Sequence, residues 1–573
     1  MISLGDNPFP SPCSPSSYWG ARGERWKPES VLPDFSYAGY RAGERAIPNA
    51  SARWDLKRDF HAVGNGSADD TEALERAVRS VSNGVLFIPE GRYVITRKIT
   101  IDHGNLVLRG AGRGKTIFYF PRSLTDLYGN NPDNEAHSEW SFGPGFIHVN
   151  GKNPLSPRNR IASVVQPARR GDRQLALSEP LGLEPAAWIT LAESDPAKGT
   201  AYTGSLIRFL YGDLMPAGEG LIGTPNIVRF LSRVRSRSGN LIELERPLPY
   251  DVRLEWKPEI HTFSPSIEEF GIEHLSFRFP WSPYLGHFKE KGFNALTLDD
   301  VSQCWIRDVE IQNADFGIGL NQTNFCTVSG VVLTTSQDRA VSSGSKGMNG
   351  HHGIDVGHGT ENLITNFDIH TTFVHDISVE WYALHTVFSN GSGTDLAMDH
   401  HREANYSNLF SNLNCGRGTR PFASGGSHDR GAHAGAYTTY WNIRAESPMN
   451  LPPPDFGPLL NFIGFEAIPK LRIRNTTGHS RQSTPDTSVP PIWPALCRSS
   501  DSRDRSESGH LTVLFTHETL PPYRPGSVKY LLSGANARSN ARFIGFPRVL
   551  HKKSRKKADF RAVFSLQPAS RPL

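Results

Sequence analysis

The sequence predicts an all-β fold in which short strands coil into a parallel solenoid, preceded by one amphipathic helix. Short alternating segments recur at a spacing of about 22 residues through the second half of the chain. The 573 residues include 53 Gly and 42 Pro, which indicates many corners and few long helices. Hydrophobic residues make up 37% of the chain, enough for a large core.

The predicted helix follows an acidic, glycine-rich turn. In "DDTEALERAVRSV" the residues Leu74, Ala77, Val78 and Val81 share one face, and Asp69 to Thr71 supply capping side chains. A solenoid leaves the edge and the core of its first coil open, so we expect this helix to cover that end.

Strands with glycine corners are predicted directly after the helix, in "GVLFIPEGRYVIT" and "NLVLRGAG". From residue 122 to about 260 the sequence alternates between strands and polar loops without a clear order.

The repeat begins near Gly271. Its units hold short alternating strands separated by Asn, Gly or Ser corners, and one unit is lengthened by a loop around Ser336 to Gly350. An antiparallel sandwich is the alternative, but dipeptides typical of hairpin turns are scarce between these strands. The units are Cys304 to Gln322, Cys326 to Thr335, Asn362 to Trp381, Ala383 to His401 and Asn405 to Phe422.

Three regions are predicted along the chain. Residues 1–55, rich in Pro, Gly and Ser, form an extended arm that lies on the body. Residues 56–475 form the solenoid domain. Residues 476–573, rich in Ser, Arg and Pro, form a low-complexity tail that we expect to be poorly ordered.

The segment "DFHAVGNGSADDTEALERAV", followed by "GVLFIPEGRYVI", resembles the entry motif of the pectate-lyase-like right-handed parallel β-helix superfamily. His61 stands where Gly is usual in that motif, and Asn65 where Asp is usual. With the repeats, the resemblance covers about Asp59 to Glu446. It implies a single-stranded right-handed parallel β-helix. It does not define the chemistry, because the superfamily includes lyases, hydrolases, epimerases and phage tailspikes.

Aligned repeats predict which side chains face outward, since side chains at matching positions of a parallel solenoid stack one rung apart. Two apolar columns are expected to point inward: Ile318, Ile354, Ile377 and Leu396, and then Leu320, Val356, Val379 and Met398. The columns expected outside are Gly319, Asp355, Ser378 and Ala397, then Asn321, Gly357, Glu380 and Asp399, and last Gln322, His358, Trp381 and His400.

The predicted outer face combines carboxylates, imidazoles, guanidinium groups and an aromatic ring, a mixture suited to an acidic sugar polymer. The candidate catalytic residues are Asp355, Glu380, Asp399, His400, Arg402 and Arg420. The candidate substrate-binding residues are His351, His352, His358, Trp381, His401, Arg417 and His428.

Three functions fit this face. The favoured one is cleavage of a uronate-containing polysaccharide by β-elimination, in which Arg or His removes a proton and neutralises the carboxylate. The second is glycoside hydrolysis by paired carboxylates, with Glu380 and Asp399 expected one rung apart. The third is a non-catalytic carbohydrate-binding or structural β-helix.

Either no cofactor is needed, or Asp355, Glu380 and Asp399 hold Ca²⁺. No Cys/His spacing in the sequence matches a structural zinc site, and no His-Glu-x-x-His occurs.

A polysaccharide is the expected partner, acted on by a monomer. A net charge of +5 without an aromatic-basic stripe gives no reason to expect nucleic acid. The sequence lacks an apolar run of about 18 residues, so no membrane span is expected. The function implies secretion, although no signal peptide is visible. Five cysteines, Cys13, Cys304, Cys326, Cys415 and Cys497, form no disulfide framework.

Overall fold

A computed structural model describes residue 19 and residues 24–130, 137–151, 159–180, 182, 184–195, 205–214 and 228–465, and two short later strands. These residues belong to a compact unit, Met1–Ser533. A second unit, Gly534–Leu573, lies outside the described residues. The same holds for the predicted tail, 476–573, apart from the two strands.

The chain enters the fold through short strands and the predicted helix. The helix, α1, begins at Thr71 and ends at Ser80. The elements of this part are β1 (Ala52–Asp55), β2 (Asn65–Asp69), α1 (Thr71–Ser80), β3 (Gly84–Ile88), β4 (Gly91–Val94), β5 (Ile99–Ile101), β6 (Leu106–Gly110), β7 (Thr116–Tyr119), α2 (Leu124–Tyr128) and β8 (Ile147–Asn150).

An antiparallel sheet that the sequence did not predict is inserted next. Its strand order is β10-β13-β12-β11-β14-β9, and its apolar side chains form a core of their own that reaches Tyr382, Leu384 and Tyr406 of the repeats. The elements are β9 (Arg160–Ser163), β10 (Gln174–Ala176), β11 (Trp188–Glu193), α3 (Ser205–Tyr211), β12 (Val228–Ser238), β13 (Leu241–Leu244) and β14 (Glu259–Thr262).

The repeats follow as regular coils. Their strands are β15 (Ile267–Glu268), β16 (Gly271–Arg278), β17 (Asn294–Asp299), β18 (Val301–Ser302), β19 (Trp305–Gln312), β20 (Phe316–Asn321), β21 (Thr327–Thr334), β22 (Gly350–Gly357), β23 (Leu363–Ile369), β24 (Phe373–Glu380), β25 (Val387–Gly393), β26 (Met398–His400), β27 (Leu409–Asn414), β28 (Thr439–Arg444) and β29 (Asn461–Ile463). Beyond them β30 (Leu514–Thr516) pairs antiparallel with β31 (Lys529–Leu531).

The coils stack as parallel sheets. The first sheet runs β1-β3-β6-β16-β19-β21-β23-β25-β27-β28-β29, and the second runs β5-β8-β17-β20-β22-β24-β26. A narrow third face begins with β15 and β18 and continues as single parallel bridges from Ser302 through Asn324, Thr360 and Leu384 to Tyr406. Parallel pairing in the coils excludes the antiparallel sandwich. The predicted fold class, a right-handed parallel β-helix, is confirmed.

Asparagines in the left-handed backbone region form one corner of the coils. Asn366, Asn390, Asn412 and Asn442 all have φ near 50° (53°, 52°, 52° and 51°). Asn412 donates its amide hydrogen to Asn390 at 3.2 Å, and Asn442 donates to Asn412 at 3.2 Å. Asparagine tolerates this conformation better than most residues, which explains its recurrence in the repeat.

One apolar core runs through the coils, from Leu56 to Phe465. The apolar face of α1 joins it, with Leu74 and Ala77 fully buried. The covering of the open end by this helix stays a prediction. Asp70, just before α1, accepts hydrogen bonds from the backbone N–H groups of Val63 and Gly64, at 2.6 and 3.0 Å.

The described part of the N-terminal arm packs on the outside of the first sheet. Leu32, Phe35 and Ala38 share an apolar cluster with Leu363 and Trp441. No helix among the described residues is long and apolar enough to cross a membrane.

Candidate functional site

The predicted outer columns lie on the second sheet, and their register agrees with the prediction except at β26. Ile377 of β24 pairs with Met398 rather than Leu396, and Ser378 therefore pairs with Asp399. The predicted alignment of β26 is wrong by two residues, because the chain takes 21 residues from Ile377 to its partner and not the 19 that the alignment assumed. A shift of two keeps Met398 on its predicted inward face and Asp399 on its predicted outward face.

The outward column is therefore Gly319, Asp355, Ser378 and Asp399. Asp399 lies two rungs from Asp355, and the predicted stack of Glu380 directly on Asp399 is wrong. Glu380 pairs with Gly357.

A local bend brings two further histidines to this face. Added Cβ atoms at Gly317 and Gly353 would touch the core side chain of Leu333, so both glycines face inward immediately before the inward residues Ile318 and Ile354. Two successive inward positions reverse the alternation. His352 and its partner in register, His375, therefore stand on the outer side, where His352 stacks on Phe316.

Five imidazoles meet there, and we call them the histidine cluster: His287, His351, His352, His375 and His401. His351 and His352 have ring centroids 4.1 Å apart, and His375 lies 4.8 Å from both His352 and His401. His287 comes from the loop between β16 and β17 and lies 4.6 Å from His351. All except His287 and His401 are at most 3% exposed.

Burial and the neighbouring imidazoles lower the pKa of His287 to about 4 and hold the pKa values of His351 and His352 well below the usual range. These three rings are neutral at neutral pH.

Asp399 is a fully buried carboxylate at the base of the cluster. It accepts hydrogen bonds from the Gly425 N–H at 2.7 Å, from Ser378 Oγ at 3.0 Å and from His401 Nδ1 at 3.0 Å. His375 Nδ1 lies 3.1 Å from the same oxygen, Oδ2. Burial favours the neutral acid, but the two imidazoles outweigh it and hold the pKa of Asp399 well below its usual range. Burial disfavours the His401 cation, and Asp399 outweighs that effect and raises the pKa of His401.

Asp355 and Glu380 behave in the opposite way. Burial, and then the charges of Glu380 and Asp399, raise the pKa of Asp355 well above its usual range. Burial also raises the pKa of Glu380, although His401 opposes it. Asp355 Oδ1 is buried without a hydrogen-bond partner. Each group of this carboxyl pair therefore keeps its own proton at pH values where an exposed carboxyl group is ionised.

Two aromatic groups flank the site. Phe142 is 57% exposed, and its ring centroid lies 5.4 Å from that of His351. At the other side His358 stacks on Trp381 at 5.5 Å, and the Arg430 guanidinium lies 4.2 Å from the Trp381 ring. Burial lowers the pKa of His358 to about 4. Exposed or half-buried rings beside polar groups are suitable platforms for the apolar faces of sugars.

The predicted arginines have structural partners instead of facing the site freely. Arg420 forms a 2.5 Å ion pair with Asp376, a buried carboxylate. Arg402 donates to the carbonyl oxygens of Gly426 and Gly431 and contacts His433. Arg417 is 58% exposed and lies 3.7 Å from Asp395. The structure gives none of them the role predicted from sequence.

His400 points into the core, which corrects its predicted place on the outer face. It pairs with the inward residue Val379, its Nδ1 contacts Asn405 at 2.9 Å, and its Nε2 contacts the Tyr440 hydroxyl at 2.8 Å. His428 is exposed on a short turn, away from the contacts of the histidine cluster.

Two groups of side chains have metal-ligand atoms within 4.8 Å of one another among the described residues: His287 with His351 and His375, and His375 with Asp399 and His401. The three carboxylates predicted to hold Ca²⁺, Asp355, Glu380 and Asp399, are not such a group, and the structure gives that ligand set no support.

Sequence reasoning missed His287, His375, Phe142 and Gly425. Alignment of "GHHGIDVG" with "FVHDISVE" places His352 at the same repeat position as His375. The repeat could therefore have identified His375 as a candidate site residue. His287, Phe142 and Gly425 lie in loops outside the repeat and had none.

The comparisons with known proteins agree with this architecture. Residues 57–151 match the model of the family described as "Rhamnogalacturonase A/epimerase, pectate lyase-like". The matched segment contains the entry motif and α1. The chain is a right-handed parallel β-helix protein, and its resemblance to the pectate-lyase-like superfamily is confirmed. No curated protein sequence matches it.

Similar solved structures include the tailspike protein gp49 from Pseudomonas phage LKA1 (14% identity, TM-score 0.45), with 72% of this chain and 64% of that one covered. The tailspike gp61 of Pseudomonas phage phi297 has 13% identity and a TM-score of 0.43, with 69% and 64% covered. The Azotobacter vinelandii mannuronan C-5 epimerase AlgE6 A-module has 10% identity and a TM-score of 0.31, with 72% and 80% covered. The chain thus spans less than two thirds of either tailspike. At these scores the likenesses assign no activity.

Proposed function

We propose that this protein is a carbohydrate-active enzyme that cleaves an acidic polysaccharide by β-elimination. The observation that carries the proposal is the juxtaposition, on one strand face, of an imidazole oriented by a carboxylate and a carboxyl pair of raised pKa. The first is His401 on Asp399, and the second is Asp355 with Glu380. The family match to a pectate-lyase-like group supports a sugar polymer as the substrate.

His401 is the proposed base. Its Nδ1 donates to Asp399, so Nε2 carries the lone pair. A raised pKa makes an imidazole a stronger base. His401 takes the proton from the carbon next to the uronate carboxylate, and the electron pair of that C–H bond forms the new double bond.

The Asp355–Glu380 pair is the proposed acid. As the bond between carbon and the glycosidic oxygen breaks, a carboxyl group gives its proton to the leaving oxygen. The other carboxyl group donates a hydrogen bond to the uronate carboxylate, whose charge must be neutralised for the proton to be removed. Phe142 and Trp381 are the proposed surfaces for neighbouring sugars. Because a polysaccharide is too large to enter a cell, we place this activity outside the producing cell.

Hydrolysis is the second candidate, because Asp355 and Glu380 lie in neighbouring rungs. Asp355 pairs with Ser378 and Gly357 pairs with Glu380, so the two acidic residues are offset by two residues along the strands as well as by one rung. About 6.6 Å along the strand and about 4.8 Å between rungs separate their Cα atoms by roughly 8 Å, which is closer to the roughly 6.5–9.5 Å of inverting glycosidases than to the roughly 5–5.5 Å of retaining ones. Against it, one carboxyl group of a hydrolase pair must be ionised. Both pKa values are raised here, and the ionised Asp399 is fully buried.

Incubation with uronate-containing and neutral glycans separates the candidates. Elimination produces an unsaturated uronate, detected by ultraviolet absorbance, together with new reducing ends. Hydrolysis produces reducing ends without that absorbance. Binding without either product shows a non-catalytic protein and overturns the proposal.

The variants Glu380→Gln, Asp355→Asn and His401→Asn are each expected to lower kcat by a factor of about 10²–10⁴, the usual contribution of acid–base groups. Glu72→Gln, at a side chain 76% exposed on α1, and His370→Asn, at an exposed histidine, are the matched controls. Retention of full activity by all three site variants contradicts the assignment.

A further inference from the structure

We propose that His287, His351 and His375 bind a divalent transition-metal ion. Their ligand nitrogens lie within 4.8 Å of one another. Tetrahedral zinc with bonds of about 2.0–2.1 Å needs nitrogens about 3.3 Å apart, so small side-chain movements close the site. The inference does not depend on the proposed activity.

His351 has the tautomer that a metal ligand needs. Its Nδ1 lies 2.9 Å from the Ser141 carbonyl oxygen, which can only accept, so Nδ1 carries the hydrogen and Nε2 the lone pair. His351 is fully buried, yet Nε2 has no hydrogen-bond partner. Buried nitrogens without a partner are rare in proteins, and a metal ion would supply one here.

His375 repeats the arrangement with a carboxylate as its outer partner. Its Nδ1 lies 3.1 Å from Asp399 Oδ2, and both of its ring nitrogens are buried without a hydrogen-bond partner. A histidine that binds metal through one nitrogen commonly directs the other at a carboxylate or a carbonyl oxygen. Both arrangements occur here, side by side.

His287 completes the group from above the sheet. It is exposed, stacks on Phe288 at 3.8 Å, and lies 4.6 Å from His351 and 5.9 Å from His375. A loop residue of this kind can move towards an ion that the two strand residues already hold.

The neighbouring group of His375, Asp399 and His401 is a weaker candidate. There Asp399 Oδ2 lies 3.1 Å from one histidine Nδ1 and 3.0 Å from the other. His401 Nδ1 donates its hydrogen to this oxygen, so that nitrogen has no lone pair to offer a cation.

Imidazole ligands select the metal. Three neutral nitrogens suit Zn²⁺, Co²⁺, Ni²⁺ and Cu²⁺, whereas Ca²⁺ and Mg²⁺ require oxygen ligands. Three protein ligands leave a fourth position of a tetrahedral ion open.

The test is a calorimetric titration of chelator-treated, tag-free full-length protein with Zn²⁺, and a visible spectrum of the Co²⁺ form. The expected result is one equivalent of tightly bound metal and the absorption of tetrahedral Co²⁺. His287→Ala and His351→Gln should each weaken binding at this site by a factor of at least about 10–100, the loss typical of an outer partner. His370→Ala, at an exposed histidine elsewhere, should leave it unchanged.

His287 is exposed, so its variant should fold, as circular dichroism will show, even if the His351 variant does not. Two results overturn the inference: no stoichiometric Zn²⁺ binding to the wild type, or binding that His287→Ala leaves intact. Neither readout requires a substrate, so failure here leaves the elimination mechanism standing, and the reverse also holds.

Discussion

At the scale of single residues, close contacts decide the geometry of the site more than residue type does. Gly425 is the clearest example, because its N–H binds Asp399 and its Cα faces two imidazoles. An added Cβ would lie 2.4 Å from His401 Cε1 and 2.8 Å from His375 Cε1. Only glycine fits at this position without moving a ring.

Gly425→Ala is therefore expected to displace His375 and His401 and to lower both kcat and Zn²⁺ affinity by about tenfold or more, as small misplacements in active sites do. Gly182→Ala is the matched control, since a Cβ there meets no atom within 4 Å. Activity assays and zinc titrations of both variants measure the effect. Wild-type values for Gly425→Ala would show that the rings are not held where the structure places them.

Arg420 is a second example, because its contacts make it a structural residue. Its partner Asp376 also accepts hydrogen bonds from the N–H groups of Phe373 and Ala397, at 2.7 and 2.8 Å. Arg420→Gln should cost about 3–5 kcal/mol of unfolding free energy, because it leaves a buried carboxylate without its cation.

The exposed Arg417, on the same loop, provides the control: Arg417→Gln should change stability by less than about 0.5 kcal/mol. Denaturant unfolding measures both values. A stable Arg420→Gln variant with lost activity would restore the catalytic role predicted from sequence.

At the scale of elements, periodicity predicted the coils well and their exceptions poorly. The outward positions of Asp355, Glu380 and Asp399 follow from alternation and survived a two-residue error in register. The inward turn of Gly353, which places His352 and His375 outside, depends on a close approach to the Asp376 backbone that no period encodes, since an added Cβ would lie 2.3 Å from the Asp376 carbonyl oxygen. Helix α1 was predicted from its apolar face and its acidic start, and the apolar face is as expected. Of the predicted caps, Asp69 accepts the Thr71 N–H, whereas Asp70 makes no capping bond to the helix.

The helix offers its own test. Leu74 is fully buried in the core, so Leu74→Ala should lower the free energy of unfolding by about 2–5 kcal/mol. Glu72→Ala, at an exposed position of the same helix, should change it by less than about 0.5 kcal/mol. If thermal and chemical unfolding of the Leu74 variant match those of the wild type, the helix does not contribute to the cooperative core.

At the scale of the whole molecule, a buried ion-pair group formed by Arg246, Glu361 and His385 connects the antiparallel insertion, the coils and the N-terminal arm. The sequence did not predict these contacts. Arg246, from the segment after β13, forms a 2.5 Å ion pair with Glu361 of the coils, and its guanidinium lies 5.5 Å from the ring of Tyr37 in the arm. His385 lies 2.9 Å from the same carboxylate oxygen. The antiparallel insertion escaped prediction because its strands are irregular in spacing and pair with partners far along the chain.

This group predicts a pH dependence of stability. Burial favours neutral Glu361, but Arg246 and His385 outweigh it and lower the pKa of Glu361 below its ordinary value of 4.5. Its stabilisation is therefore complete above the unfolded pKa and is lost as the pH falls below about 4.5 and through the folded pKa.

Glu361→Gln should lower stability at neutral pH by about 3–5 kcal/mol and should flatten the decline in acid. Unfolding measured across acidic and neutral pH checks both effects. Glu255→Gln, at an exposed residue of the insertion, is the control and should follow the wild-type curve. If the unfolding free energy of the Glu361 variant falls at acidic pH as steeply as that of the wild type, Glu361 is not the group responsible for the pH dependence.

The placement of the insertion has a consequence for synthesis on the ribosome. Strand β8 ends at Asn150, and its hydrogen-bonded neighbour β17 begins at Asn294. One edge of β8 therefore stays unpaired until the residues between the two strands, and β17 itself, have been translated. At roughly 5–20 residues per second this interval lasts about 7 to 29 seconds. A nascent chain halted inside the insertion exposes an unpaired parallel edge, the kind of surface on which chaperones and aggregation compete.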